Sequence, residues 1–347
     1  MEKKVKNRYG LKNMTMYGMG EFFSGGAFVI INAFYIVFMT NALGIPGYLA
    51  GMIPLVGKVW DAVTDPIMGN ITDRTTSKFG AKRFYILIGA FLSSSTFILL
   101  WLPFNMGTVG LKVAFYMTMY CLFSTGFTVL MVPYGGLLPD MVEDYIIRSK
   151  FSNMRMIWST LGSMVCGLVP TLMIKDNTKA ESYIQCGILF GFIFLITSLI
   201  TFAGTWEKKK EPVIVPMRDS FKQSAGVFKS RSFRLFIGIY LTGQCATDFV
   251  SGMAVYYVDA VLNKYHNGML TILMAVLILS QLIGMLIWGP VMTKTSKRTT
   301  ILIGAPIRII STLGLIAFSH ENAAIVPILI MTAGIGIGNA ATLTSIF

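Results

Sequence analysis

Asp61 and Asp65 stand one helical turn apart inside an apolar run from about Tyr48 to Ile71. On a helix that spacing puts both carboxylates on one face. A single charged side chain at the middle of a membrane-spanning helix costs roughly 2.5–3.5 kcal/mol on insertion scales. Two adjacent carboxylates also repel each other unless a proton, a cation or a nearby base neutralises them. Lys58 lies one turn before Asp61, but one ammonium cannot balance two anions. The chemistry this pattern supports is reversible binding of a cation. Asp61 and Asp65 are therefore the candidate cation ligands, and metal ligands if the ion is Na⁺. Lys58 is expected either to tune the pair or to bind it, and the whole pattern points to a carrier driven by a cation gradient.

Other chemistries are poorly represented. The two histidines, His266 and His320, fall near predicted helix ends, which disfavours a histidine proton relay or triad. Cys121, Cys166, Cys186 and Cys245 have no CxxC spacing and read as buried small hydrophobes. The stretch Gly51 to Val59 superficially resembles a phosphate loop, but its spacing is too long and Val59 replaces the hydroxyl residue. Gly334, Gly336 and Gly338 read as a close helix-packing face. The expectation is a protein that is not an enzyme and needs no cofactor beyond a coupling ion, Na⁺, H⁺ or Li⁺.

The elements that must carry the acids are membrane helices. The chain has 347 residues, 54% of them hydrophobic and 13% charged, with a mean hydropathy of +0.66. Soluble domains carry about 25% charged residues. About ten apolar segments of bilayer length are predicted, near 14–40, 48–72, 84–104, 110–138, 156–174, 183–205, 232–261, 268–293, 299–319 and 322–347. Continuous apolar runs without alternation choose helices over a barrel. No cleavable signal peptide is expected, because the first apolar stretch is too long.

The net charge of +13 does not imply nucleic acid, because the bases cluster in alternate connections. They gather at Lys3–Lys12, Arg74–Arg83, Arg148–Arg155, Lys208–Arg234 and Lys294–Arg298. That asymmetry predicts a multi-pass plasma-membrane protein with a cytoplasmic N-terminus. The polar break at 207–231 separates an N-terminal six-helix bundle, 1–206, from a C-terminal bundle, 232–347. Within the break, Met217, Phe221, Ala225 and Phe228 predict a short amphipathic helix on the membrane surface.

An internal repeat supports the division. Phe84-Tyr85-Ile86-Leu87-Ile88-Gly89-Ala90 matches Thr299-Thr300-Ile301-Leu302-Ile303-Gly304-Ala305. Each follows a proline read as helix-ending, Pro66 or Pro290, and a Ser-Lys pair, Ser77-Lys78 or Ser296-Lys297. Segments two and eight are then equivalent, as in a duplicated six-helix unit. Counted from the prolines, Asp61 corresponds to Met285 and Asp65 to Gly289, so the acids are not duplicated. A twelve-helix unit would extend beyond Phe347, and a partial chain is the expectation.

Three stretches resemble one family, the glycoside-pentoside-hexuronide:cation symporters of the major facilitator superfamily. The first is Trp60-Asp61-Ala62-Val63-Thr64-Asp65-Pro66-Ile67-Met68-Gly69, with Asp73-Arg74 and the loop ending Gly80-Ala81-Lys82-Arg83. The second is Val132-Pro133-Tyr134-Gly135-Gly136-Leu137-Leu138-Pro139-Asp140, continuing to Asp144-Tyr145, Arg148 and Arg155. The third, Ser251-Gly252-Met253-Ala254-Val255-Tyr256-Tyr257, is the least specific. The resemblance implies an all-α polytopic fold that carries sugars with a cation. It places the cation carboxylates on Asp61 and Asp65, a nearby hydroxyl on Thr128, and a sugar-proximal arginine on Arg155. The family's two sugar-binding aspartates fall on Gly25 and Met131, and its stacking tryptophan on Gly135, so the galactoside pattern is largely absent.

Arg155 and Tyr134, with the intramembrane acids Glu21 and Asp248, are the candidate cargo contacts. Lys58, Asp73, Arg74, Asp144 and Arg148 are candidate gating residues, the last four through ion pairs or by anchoring loops. The expected function is cation-coupled symport of a sugar or glycoside by a monomer. The alternatives are carriage of a lipid or another solute on the same fold, a channel, a scramblase, or a fragment that does not transport.

Overall fold

The computed structural model describes residues 9–104, 106–207, 226, 228–262, 268–294, 297–318 and 324–346. The described residues are helical, joined by short turns. The helices are α1 Leu11–Gly18, α2 Gly20–Ile30, α3 Gly47–Arg74, α4 Ala81–Leu99, α5 Val109–Met141, α6 Tyr145–Met173, α7 Ala180–Gly204, α8 Arg231–Tyr256, α9 Met269–Lys294, α10 Lys297–Ala317 and α11 Ile325–Ile346. Turns of π-helix follow α2, at Ile31–Tyr35 and Phe38–Ala42, and follow α8, at Tyr257–Val261.

The described residues thus hold eleven α-helices rather than about ten, because the first predicted segment is broken at Met19 between α1 and α2. Seven of them, α4 to α7 and α9 to α11, are long and apolar enough to cross a membrane. Helices α3 and α8 fall short of that criterion, as their charges dictate: Lys58, Asp61, Asp65, Asp73 and Arg74 on one, Arg231, Arg234 and Asp248 on the other. Pro66 does not end its helix: it lies within α3, which runs on to Arg74. Proline is tolerated inside membrane helices because neighbouring groups re-satisfy the freed carbonyl. The predicted surface helix around Met217–Phe228 falls almost entirely outside the described residues, as do His266 and His320.

The chain forms two compact units. The first comprises Met1–Phe28, Phe38–Ser163 and Asn177–Val227. Its centre is aromatic: Phe23 meets Phe194 at 4.8 Å between ring centroids, Phe97 meets Phe194 at 5.1 Å, and Phe97 meets Phe123 at 5.8 Å. Small residues bring its helices close. A side chain at Gly89 of α4 would lie 2.6 Å from the Leu130 backbone of α5. On α6, Gly162 sits against the Phe22 carbonyl of α2, and Gly25 of α2 against Ser159. With little hydrophobic drive between helices in lipid, such close backbone approach is what holds a bundle together.

The second unit comprises Val29–Val37, Met164–Asp176 and Phe228–Phe347. Helix α11 is wedged between α9 and α10 by its alternate glycines. Gly334 and Gly338 touch Ser311 and Arg308 of α10, and Gly336 touches Ser280 and Leu277 of α9. The packing-face reading of these glycines therefore holds. Ala341 occupies the space a side chain on Gly304 would need. The outward rows of α10, including Leu302, Ile309, Ile310, Leu313 and Ile316, are exposed apolar residues suited to lipid.

Candidate functional site

The two acids of α3 face α5, where a matching ladder of hydroxyls awaits them. Ser124 donates to Asp61 Oδ1, and Thr128 donates to Asp65 Oδ1 at 2.8 Å. Both pairs advance four residues on both helices, so α3 and α5 run parallel and in register along this seam. Gly57 of α3 makes that approach possible, because the Tyr120 ring fills the space a side chain there would need. Trp60 adds a third tie, its Nε1 donating to Thr125 Oγ1 at 2.8 Å. Ser124 and Thr128 are buried, Asp61 is half-buried and Asp65 is exposed.

A hydroxyl that donates to a carboxylate keeps its own lone pairs free. Each rung of the ladder therefore offers three oxygens. Pro66 has no N–H, so the Ala62 carbonyl one turn back loses its helical donor. Oxygen-rich, hard-donor surroundings of this kind suit a hard cation. Among the described residues, no group of three or more His, Cys, Asp or Glu side chains gathers.

Lys58 does not neutralise the pair by direct contact. Its ammonium lies 4.4 Å from the Phe28 ring centroid, and no ion pair joins it to either carboxylate.

Glu21, Tyr134 and Arg155, three of the four candidate cargo contacts, come together in the first unit. Arg155 of α6 forms an ion pair with Glu21 of α2, one bond measuring 3.0 Å from Nε. Its guanidinium lies 4.9 Å from the Tyr134 ring centroid. The Tyr134 hydroxyl donates to the Tyr17 carbonyl at 2.9 Å, and the two rings stack. Asp248 belongs to the second unit, where its Oδ1 accepts from Asn32 at 2.9 Å and from Gln244 at 3.0 Å.

The gating candidates divide differently. Asp73 and Arg74 are exposed at the end of α3. Among the described residues no ion pair joins Asp144 or Arg148; both side chains bond backbone of their own loop, as the loop-anchoring alternative has it. Asp144 accepts from the Ile147 N–H at the start of α6, as an N-cap does. Arg148 donates from Nε and Nη2 to the Val142 carbonyl. An unforeseen cluster joins the helix ends instead. Lys82 pairs with Asp140 at 2.6 Å and donates to the Gly136 carbonyl. Glu207 accepts from the Lys82 and Arg83 N–H groups at the start of α4. Asp140, Lys82 and Arg83 all stand in the quoted motifs, which was the available signal.

The absence of the family aspartate at position 25 now has a physical reason. A Cβ on Gly25 would lie 2.6 Å from Ser159 Oγ, and Ser163 already donates to the Gly25 carbonyl at 2.9 Å. Gly135, by contrast, opens onto free space.

With this geometry, comparison with known proteins places the chain. Residues 16–346 match the model of the family described as MFS/sugar transport protein, and the chain belongs to that family. Its members are multi-pass membrane transporters, not enzymes. The chain is 26% identical over 310 residues to an uncharacterized symporter, YjmB, of Bacillus subtilis (strain 168), covering 86% of this chain and 66% of the relative. It is 24% identical over 341 residues to the glucuronide carrier protein homolog of Escherichia coli (strain K12), covering 96% of this chain and 72% of the relative. Across the first four curated relatives it spans between 38% and 66% of their length. Among solved structures it is similar to the nucleoside transporter NupG (D323A mutant), with a TM-score of 0.65 at 14% identity over 96% of this chain and 81% of that one. That likeness is one of fold.

Proposed function

We propose that this chain is a cation-coupled symporter of a sugar or glycoside that works by alternating access. The observation that carries the reading is the in-register ladder Asp61–Ser124 and Asp65–Thr128. A cation held between the two acids removes their repulsion and stabilises the seam between α3 and α5. Coupling then requires that the ion bind one conformational state better than the other. One monovalent cation crossing 100 mV supplies roughly 2.3 kcal/mol, enough for about fifty-fold accumulation at ~1.4 kcal/mol per decade.

In this reading Arg155, Glu21 and Tyr134 form the cargo contact of the first unit. Their charge pair would open as the sugar hydroxyls replace it. The glucuronide carrier homolog among the relatives supports a sugar-derived cargo. The architecture proposed is a six-helix bundle over 1–206, a linker at 207–231 and a second bundle from 232. It sits in the plasma membrane as a monomer with the N-terminus cytoplasmic. The test is Asp61→Cys: cation-stimulated uptake is expected to vanish while the protein still inserts into the membrane. Uptake that keeps its cation dependence would refute the site.

A further inference from the structure

Arg155 lies within α6 and Arg308 within α10, and their surroundings differ. Arg155 has an acid partner, Glu21. Arg308, in the middle of α10, has none among the described residues. It is only 8% exposed, and every acceptor it uses is neutral. Its Nη1 donates to the Gly243 carbonyl at 3.2 Å and to Asn339 Oδ1 at 3.1 Å. Its Nη2 donates to Thr247 Oγ1 at 3.2 Å. Asn339 is held in turn by Gln281, to whose Oε1 it donates at 3.2 Å, and it accepts from Thr247 at 2.9 Å. Asp248, the very next residue on α8, is engaged by Asn32 and Gln244 instead. All these groups belong to the second unit.

A guanidinium in this position is costly, and an apolar residue of similar volume is often neutral or better for stability. An intramembrane ionisable group is a functional-site hypothesis by default, with its partner to be named. Here the partner missing among the described residues is an anion. The planar fork of arginine matches a carboxylate or sulfonate bidentately. A neutral amide and a hydroxyl can each yield their bond to such a group. We propose that Arg308, with Thr247 and Asn339 beside it, recognises an anionic group on the transported solute, which makes the cargo an acidic sugar derivative. This rests on the reading above that the chain carries a solute, but it does not depend on how transport is driven.

The test is solute exchange in proteoliposomes without any ion gradient. The probes are 4-nitrophenyl β-D-glucuronide and its neutral counterpart, 4-nitrophenyl β-D-glucoside. The parent protein is expected to exchange the glucuronide at least tenfold faster. Arg308→Gln should lower glucuronide exchange by at least tenfold and glucoside exchange by less than threefold. Asn339→Asp supplies an internal carboxylate beside Arg308 and keeps the oxygen that accepts from Arg308 and Thr247, while Gln281, whose Oε1 loses its donor, can turn its amide to donate to the new carboxylate. It should suppress the glucuronide selectively in a protein that still folds. An equal loss of both probes in both variants would make Arg308 a packing residue and overturn the proposal. So would an unchanged preference, or a parent that does not exchange the glucuronide. A parent that exchanges the glucuronide yet gains nothing from a cation gradient would instead sink the coupling reading and leave this one standing.

Discussion

The packing of α3, α4 and α5 in the first unit and that of α9, α10 and α11 in the second are built alike and charged oppositely. In each unit a glycine of the repeated motif lets two helices touch: Gly89 against Leu130, Gly304 against Ala341. Helices α2 and α8, which lie in the first predicted segment of each half, run out into π turns. Yet four residues beyond the shared glycine the first unit has Ser93, buried and bonded to the Gly89 carbonyl, while the second has Arg308. The acids Asp61 and Asp65 have Met285 and Gly289 as their counterparts. Packing is repeated where it supports the helices, and charge departs from the repeat at the residues proposed to meet a charged ligand. That is what separates chemistry from scaffold when both are buried.

Exchanging Asp61 for Cys has the largest expected effect, a fall of cation-stimulated uptake to background. Next come Gly89→Leu and Gly304→Leu. If the two glycines do the same job, each should destabilise its unit comparably, by about 1–3 kcal/mol of overpacking. Thermal unfolding of the two variants in detergent measures this, and a loss in only one of them would deny the duplication. Thr128→Val removes the hydroxyl from Asp65. The half-saturating cation concentration should rise about tenfold, in keeping with a hydrogen bond to a charged group, and Thr128→Ser should restore it. The smallest effect is expected at Lys58. Moving its ammonium off Phe28 costs about 0.5–1 kcal/mol of cation–π contact, so Lys58→Met should shift cation affinity only a few-fold. A complete loss would mean that Lys58 is itself part of the ion site.

Much of this site was legible in the amino-acid order. The spacing of Asp61 and Asp65 announced a shared face, and the family resemblance pointed to Thr128. Ser124 was readable too, because it precedes Thr128 by the same turn that separates the two acids. The pairing of Glu21 with Arg155 was not, since it spans 134 residues. It depends on α2 and α6 approaching closely through Gly25 and Gly162, and glycine spacing alone does not say which helix is the neighbour. Pro66 was misleading, because a residue that stops helices in water is accommodated within α3. For Asp144 and Arg148 the sequence left ion pairing and loop anchoring open, and their bonds to the Ile147 N–H and the Val142 carbonyl are of the second kind. Arg308 falls within the predicted apolar segment 299–319. Only the structure revealed that its acceptors are all neutral.

Acid side chains kept in an apolar helix, each with a hydroxyl beside it, are the centre of this account. The most direct test is uptake of labelled glycosides into sealed vesicles with and without an inward Na⁺, Li⁺ or H⁺ gradient. The account predicts that at least one gradient drives accumulation above equilibrium and that an ionophore collapses it. Equal uptake with and without every gradient would contradict it.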